Sequence, residues 1–375
     1  MPTAIPVPTP ATAVPPPSKA PSSHLNIDPA SAHAFAIAVL AKYNVPADRA
    51  GMVADSLVLA DLRGVDTHGL NRLGGYIDRI KAGVLDPNPE LTFKMRTPVL
   101  AELDARNTFG FVAGCLAVDK GIEIAETFGL AIVSVKNSNH YGMAATYLLR
   151  AIKRGFGAMA FTNASRSMAP WGSKEPLFGT SPFAVGVPGG EAGDFVLDMS
   201  PSVAARGKIR KAARRGESIP EGYALDGQGR HTTDPNEALK GVVLPIGGPK
   251  GSGLAMMMDI FGGVMTGASF AGDVNDQYKN LSSPQGVGHW FMIFRPEAFL
   301  DGGKEELGDR MDVLLERVRG CDKAAGVDRI FTSGEIEAMT EGSRRQGGIP
   351  FTQDEVKNLH SLARESGSDA VLQTV

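Results

Sequence analysis

The feature that most limits what this chain can fold into is a change of hydrophobic period near residue 93. Before it, apolar residues recur at helical spacing. Asp28 followed by Pro29 reads as an N-cap with a first-turn proline opening a helix that runs through Leu40. A second helix is predicted from about Pro46 to Leu62, and a third carries Arg72, Tyr76 and Ile80 and ends at Gly83. After it, short strand-like runs at 99–103, 130–135, 158–162, 195–198, 242–246 and 289–294 alternate with helical runs at 112–127, 143–154, 203–215 and 251–265. This alternation specifies a mixed α/β core. Amphipathic helices at 305–318 and 353–364 are predicted to pack back on the first three.

Composition removes several function classes. Lys and Arg total 38 against 41 Asp and Glu, a net charge of −3, so no overall field attracts nucleic acid or anionic lipid. The only concentrated charge is the run from 206 to 215, with six basic residues and no acidic one; without interleaved aromatics it reads as a solvated helix face. Two cysteines, Cys115 and Cys321, support neither a disulfide framework nor a four-sulfur metal site, and a reducing, cytoplasmic setting is expected. The seven histidines never fall as HxxxH, so no helix-borne metal site is expected. No apolar run reaches the ~18 residues of a membrane span. Residues 1–24 hold eight prolines and one charged side chain, Lys19, and read as a disordered tail with no targeting address.

Several segments carry chemistry. Gly155-Phe-Gly157-Ala-Met-Ala160 spells a dinucleotide fingerprint but follows a helix and opens a strand, the reverse of the required order. Gly247 to Gly253 lies between a strand-like run and a helix, where free N–H groups and Lys250 would suit a phosphate, a reading the pattern favours over an ordinary tight turn. His140 is delivered at the end of a buried strand through the polar cluster Asn137-Ser-Asn, a common place for a proton-transferring group. His68 sits in another polar break, beside Asp66 and Thr67 and four residues before Arg72. A guanidinium grips a carboxylate through two hydrogen bonds, so histidine with arginine is what a 2-oxo or 2-hydroxy acid requires. A helix cap, a core histidine or a solvated loop would account equally well for either histidine alone.

In order, Ala60-Asp-Leu-Arg-Gly-Val-Asp-Thr-His-Gly-Leu-Asn-Arg72, Asn137-Ser-Asn-His-Tyr-Gly142, Ala169-Pro-Trp-Gly172, Gly179-Thr-Ser-Pro182, Asp198-Met-Ser200, Ala205-Arg-Gly-Lys208 and Gly248-Pro-Lys-Gly-Ser-Gly-Leu254 resemble the malate/L-lactate dehydrogenase family. That family is distinct from the Rossmann dehydrogenases and includes sulfolactate, ureidoglycolate and diketogulonate enzymes and cyclic imino-acid reductases. The resemblance implies a homodimeric oxidoreductase using NAD or NADP on a small carboxylic acid. It implies a non-Rossmann cofactor domain (96–299) on a largely antiparallel sheet, and a helical domain from both chain ends (25–95 and 300–375). By position, His140 and His68 match the two catalytic histidines; Thr67, Arg72 and Tyr76 match the substrate pocket. Thr180, Asp198, Met199, Ser200, Pro249, Lys250, Gly251, Ser333, Gly334 and Glu335 match cofactor contacts. Thr67 replaces a usual serine, Ser181 stands where asparagine is common and Ser333 replaces a proline. The implied reaction is hydride transfer between nicotinamide and C2 of a 2-hydroxy or 2-oxo acid; reduction of a cyclic imino acid, or an inactive metabolite-binding member, are the alternatives.

Overall fold

The computed structural model describes residues 24–375; the proline-rich segment expected to be disordered lies outside them up to residue 23. A short strand β1 (His24–Ile27) leads into α1 (Pro29–Ala41) and α2 (Ala47–Leu62). Asp28 caps α1 by accepting from the Ser31 amide at 2.8 Å, with Pro29 in the first turn. Two single 3-10 turns, Asp66–His68 and Leu70–Arg72, then deliver the chain to α3 (Leu73–Lys81). Phe35, Leu40, Val53, Leu57, Leu73 and Ile77 from these helices form one apolar cluster. Burying each such side chain contributes roughly 1.5–3 kcal/mol.

Next come β2 (Phe93–Thr97), β3 (Leu100–Asp104), α4 (Gly110–Phe128), β4 (Leu130–Ser138), α5 (Ala145–Ile152), β5 (Gly157–Thr162), β6 (Phe183–Val187) and β7 (Phe195–Met199). A lobe follows: α6 (Arg206–Arg215), β8 (Ala224–Leu225), β9 (His231–Thr232), α7 (Pro235–Lys240) and β10 (Val242–Val243). Then α8 (Pro249–Asp259) and β11 (Val287–Phe294) precede α9 (Gly303–Arg319), α10 (Glu335–Gly347), β12 (Ile349–Thr352) and α11 (Gln353–Glu365). The main sheet has seven strands in the order β2-β3-β4-β11-β5-β6-β7, and every pairing but β3–β4 is antiparallel. The class is therefore mixed α/β, as the alternation of periods predicts, with a mostly antiparallel sheet, as the family resemblance implies. Strand β11 lies at its centre with five consecutive buried residues, and α4 covers it. Phe111 and Val112 at the start of α4 belong to the helical cluster, whereas Ala117, Val118, Ile122 and Ala125 pack on the sheet.

Register places one end of the sheet at the centre of interest. Ser138 at the end of β4 pairs with Val287 at the start of β11, Thr162 at the end of β5 with His289, and Phe183 at the start of β6 with Met199 at the end of β7. The chain exits after β4, β5 and β7 therefore share one edge, and the 3-10 turns below α2 close over it.

The differences from the sequence reading have local causes. The predicted strand at 242–246 shortens to two residues in a separate three-stranded sheet, β10-β8-β9. The helix predicted to run to Met265 leaves α-geometry at Asp259 and makes a π-helical turn over Ile260–Val264. Helix α11, with a capping box between Thr352 and Glu355, packs on the N-terminal helices as expected. Helix α9 does not: only Leu315 is buried, and Asp312 accepts from the Glu191 and Ala192 amides beyond β6, both at 2.9 Å. Helix α10 escaped prediction because none of its residues is buried, so no apolar stripe marks it. Among the described residues no helix is long and apolar enough to cross a membrane.

Candidate active site

The sheet edge opens into a cleft of about 710 Å³ lined by His68, Arg72, His140, Asp198, Arg206 and Tyr278 among others. His140 gets there because β4 ends at Ser138 and the next residue, Asn139, is locked: its amide donates to the Asn107 and Thr108 carbonyls at 2.8 and 2.9 Å. Gly110 lies directly against this turn, where an added Cβ would sit 2.2 Å from the Asn139 carbonyl oxygen, so only glycine permits the approach. The His140 amide donates to Gln285 Oε1 at 2.9 Å, which fixes the residue from the other side.

The two histidine rings stack with centroids 5.5 Å apart and planes 19° from parallel. On His140, Nδ1 lies 2.8 Å from the Tyr76 hydroxyl and accepts from the Gly142 amide at 3.3 Å. A backbone N–H only donates, so Nδ1 is the bare nitrogen and the neutral ring carries its proton on Nε2. Nε2 has no hydrogen-bond partner among the described residues, and it is the edge left for a ligand. His68 Nδ1 is held 2.9 Å from Thr67 Oγ1. Both rings are kept neutral: burial pulls His68 down to about 4, with the Arg72 charge adding to it. Burial, then His68 and Arg72, hold His140 well below its ordinary value.

Arg72 donates to the Thr67 carbonyl and to the Tyr278 hydroxyl, and its guanidinium lies 5.3 Å from the Tyr278 ring centre. Beneath the His68 turn lies Asp61, a fully buried acid whose Oδ2 accepts from the Leu70 amide at 2.7 Å. Burial pushes its carboxyl up to about 8. Behind Tyr76, the buried Arg79 reaches Asn139 Oδ1 at 3.2 Å and the carbonyls of Gln277, Asn280 and Ser283 at 3.0–3.4 Å. On the far wall Asp198 accepts from the Ala145 amide at 2.8 Å, and Ser200 bonds Ser202.

Of the residues singled out in the sequence, Thr67, His68, Arg72, His140, Thr180, Asp198, Met199, Ser200, Ser333 and Gly334 all line this one cleft. Tyr76 lies buried just behind it on His140. Pro249, Lys250, Gly251 and Glu335 are not brought onto its wall. At the start of α8 the amides of Lys250, Gly251 and Ser252 are bonded to the carbonyls of Gly247, Ile246 and Gly248, so they are not free to receive a phosphate there. The Glu335 carboxylate is held by Arg319, Arg329 and Thr332.

Residues 27–360 match the family described as malate/L-lactate dehydrogenase. The chain belongs to that family. It is 37% identical over 332 residues to the L-sulfolactate dehydrogenase of Methanocaldococcus jannaschii, covering 88% of this chain and 92% of the relative. It is 36% identical over 341 residues to a malate dehydrogenase of Pyrococcus abyssi, covering 89% and 92%. The solved sulfolactate dehydrogenase structure from M. jannaschii superposes with a TM-score of 0.87 at 34% identity, over 92% of this chain and 98% of that one. Within this family member the sequence reading missed Arg79, Gln285 and Tyr278, which reach the site from loops or from behind a helix and carry no local signal. It also read 206–215 as a solvated face, whereas Arg206 and Arg210 line the cleft; their four-residue spacing, which puts both on one helix face, was the available clue.

Proposed function

We propose that this chain is an NAD- or NADP-dependent dehydrogenase of small 2-hydroxy acids, with its chemistry at the paired histidines. The observation that carries this is the stacking of His68 and His140 beside Arg72 in a single cleft. The donor set suits a dinucleotide. Asp198 and Ser200 offer acceptors for ribose hydroxyls, Thr180 and Gly334 border the same wall, and the buried Tyr141 hydroxyl on it has no hydrogen-bond partner. A bound nicotinamide supplies the hydride acceptor for alcohol oxidation and the hydride donor for the reverse reaction.

The residues of this chain do the rest. Arg72 holds the C1 carboxylate bidentately and so orients C2. Neutral His140 takes the hydroxyl proton on Nε2 during oxidation, for which its own ring proton first moves to Nδ1, where the Tyr76 oxygen accepts it. As Nε2 gains it, the excess positive charge is offset by the incoming carboxylate. The Tyr76 hydroxyl serves either tautomer, donating to a bare Nδ1 and accepting from a protonated one. His68, steered by Thr67, presents Nε2 to the same substrate oxygen and polarises it. A homodimer would cover an apolar row on the surface, where Met256, Ile260 and Val264 are exposed at four-residue spacing along α8 and its π-helical turn; a cytoplasmic location is part of the same reading. The test is a panel of 2-oxo acids and cyclic imines with NADH and NADPH. Turnover of 2-oxo acids that falls by at least ~10²-fold in both His140→Ala and His68→Ala supports the reading. Turnover of cyclic imines alone, or near-normal rates in both variants, refutes it.

A further inference from the structure

The walls of the cleft hold more positive charge than one carboxylate needs. Arg72, Arg206 and Arg210 all line it, and α6 brings the last two in from the lobe one turn apart. Many arginines elsewhere are paired with carboxylates, among them Arg63 with Glu341, Arg150 with Asp119 and Arg319 with Glu335. Arg72, Arg206 and Arg210 have no such carboxylate partner among the described residues. Arg72 gives Nε to a carbonyl and one Nη1 bond to a tyrosine hydroxyl, with Nη2 left for a ligand; Arg206 donates to the Leu239 carbonyl at 2.6 Å, and Arg210 has no hydrogen-bond or ion-pair partner among the described residues. Asp276, the acid that shares this corner, turns Oδ1 to the amides of Tyr278 and Lys279 at 2.9 and 3.0 Å. Burial lowers the pKa of both Arg72 and Arg206 and the Arg210 charge adds to this, opposed by Tyr76 at Arg72 and by Asp276 at Arg206. Like charges gathered in a partly desolvated cleft are unfavourable until anions arrive.

We infer that Arg210, with Arg206 beside it, is a specificity-determining group that binds a second anion on the substrate, so the preferred acid carries a carboxylate or sulfonate beyond C2. The inference rests on the dehydrogenase reading above and deepens it. Arg72, next to the histidines, takes the C1 carboxylate; α6 then faces whatever extends from C3. A neutral or purely aliphatic C3 substituent would leave Arg210 unpaired in the complex as it is in the free protein.

The experiment measures kcat/KM for oxaloacetate and sulfopyruvate, each with two negative groups, against 2-oxobutyrate with one, in wild type, Arg210→Gln, Arg210→Lys and Lys211→Gln. Wild type should prefer the dianions by at least ~10-fold, and Arg210→Gln should lower that ratio by ~10- to 100-fold, the range of one charge-assisted hydrogen bond. Arg210→Lys should restore part of it, and Lys211→Gln, exposed on the same helix and outside the cleft, should leave it unchanged. Binding of the reduced cofactor, followed by fluorescence titration, should stay within about twofold in Arg210→Gln. An unaltered ratio in Arg210→Gln overturns the inference, and so does a weakened cofactor in place of a weakened dianion. If wild type reduces 2-oxobutyrate as well as the dianions, the inference alone fails. If it reduces no 2-oxo acid, the dehydrogenase reading fails with it.

Discussion

Asp61 offers a prediction in which geometry dictates a sign. Its carboxyl is buried beneath the turn that carries His68 and accepts from the Leu70 amide, and burial pushes it up to about 8. The folded protein therefore holds a proton on Asp61 that the unfolded chain gives up at ~3.9. Between those two values the unfolded state binds fewer protons, and stability falls as pH rises, by about 1.4 kcal/mol per unit. Below ~4 both states are protonated and above about 8 both are ionised, so the slope vanishes outside the window. Asp61→Asn keeps an acceptor for Leu70 and removes the ionisation. The buried histidines also make stability pH-dependent: His68 and His289, at about 4 and about 3 in the folded state, lose stabilisation as pH falls below their unfolded value. They are the same in both proteins and cancel in the difference. Urea unfolding of wild type and Asp61→Asn from pH 5.5 to 7.5 should show wild type losing roughly 2 to 3 kcal/mol relative to the variant over that range. Parallel curves would mean that the carboxyl is ionised throughout and that the account of the His68 turn is wrong.

Tyr76→Phe deletes one hydrogen bond to His140 Nδ1 and leaves the Gly142 amide in place, so kcat/KM should fall by roughly 5- to 10-fold, well short of the ~10²-fold loss expected for His140→Ala. An unchanged rate would remove Tyr76 from the account. In the oxidation direction the base must be unprotonated; because both histidines lie far below 6.5, kcat/KM should stay level as pH is lowered from about 8 to about 5. A decline centred near 6.5 in steady-state assays would contradict the environment assigned to them.

What could be read from the sequence is what depends on neighbours along the chain. The Asp28-Pro29 start, the change of period at residue 93 and the delivery of His140 after a buried strand are local, and the fold keeps all three. The pairing of His68 with His140 was readable only through the family resemblance, because the two segments meet by way of α3 packing against the sheet edge. Arg79 and Asp61 were invisible: each is an ionisable residue in a helical stretch whose partners lie on a distant loop or across a turn. Helix α10 failed for the opposite reason, since an element that buries nothing has no periodicity to detect. The glycine-rich turn before α8 looked like an anion cradle because sequence does not reveal that its amides are already engaged.

The buried guanidinium of Arg79 has a mechanical consequence. It fastens α3, the His140 strand exit and residues 277–283 at one point, through four oxygen acceptors. Swinging the Tyr278 side of the cleft outward would break the three bonds to Gln277, Asn280 and Ser283 together and leave a cation in the protein interior short of partners. That flank therefore behaves as a fixed jamb past which reactant and product must travel.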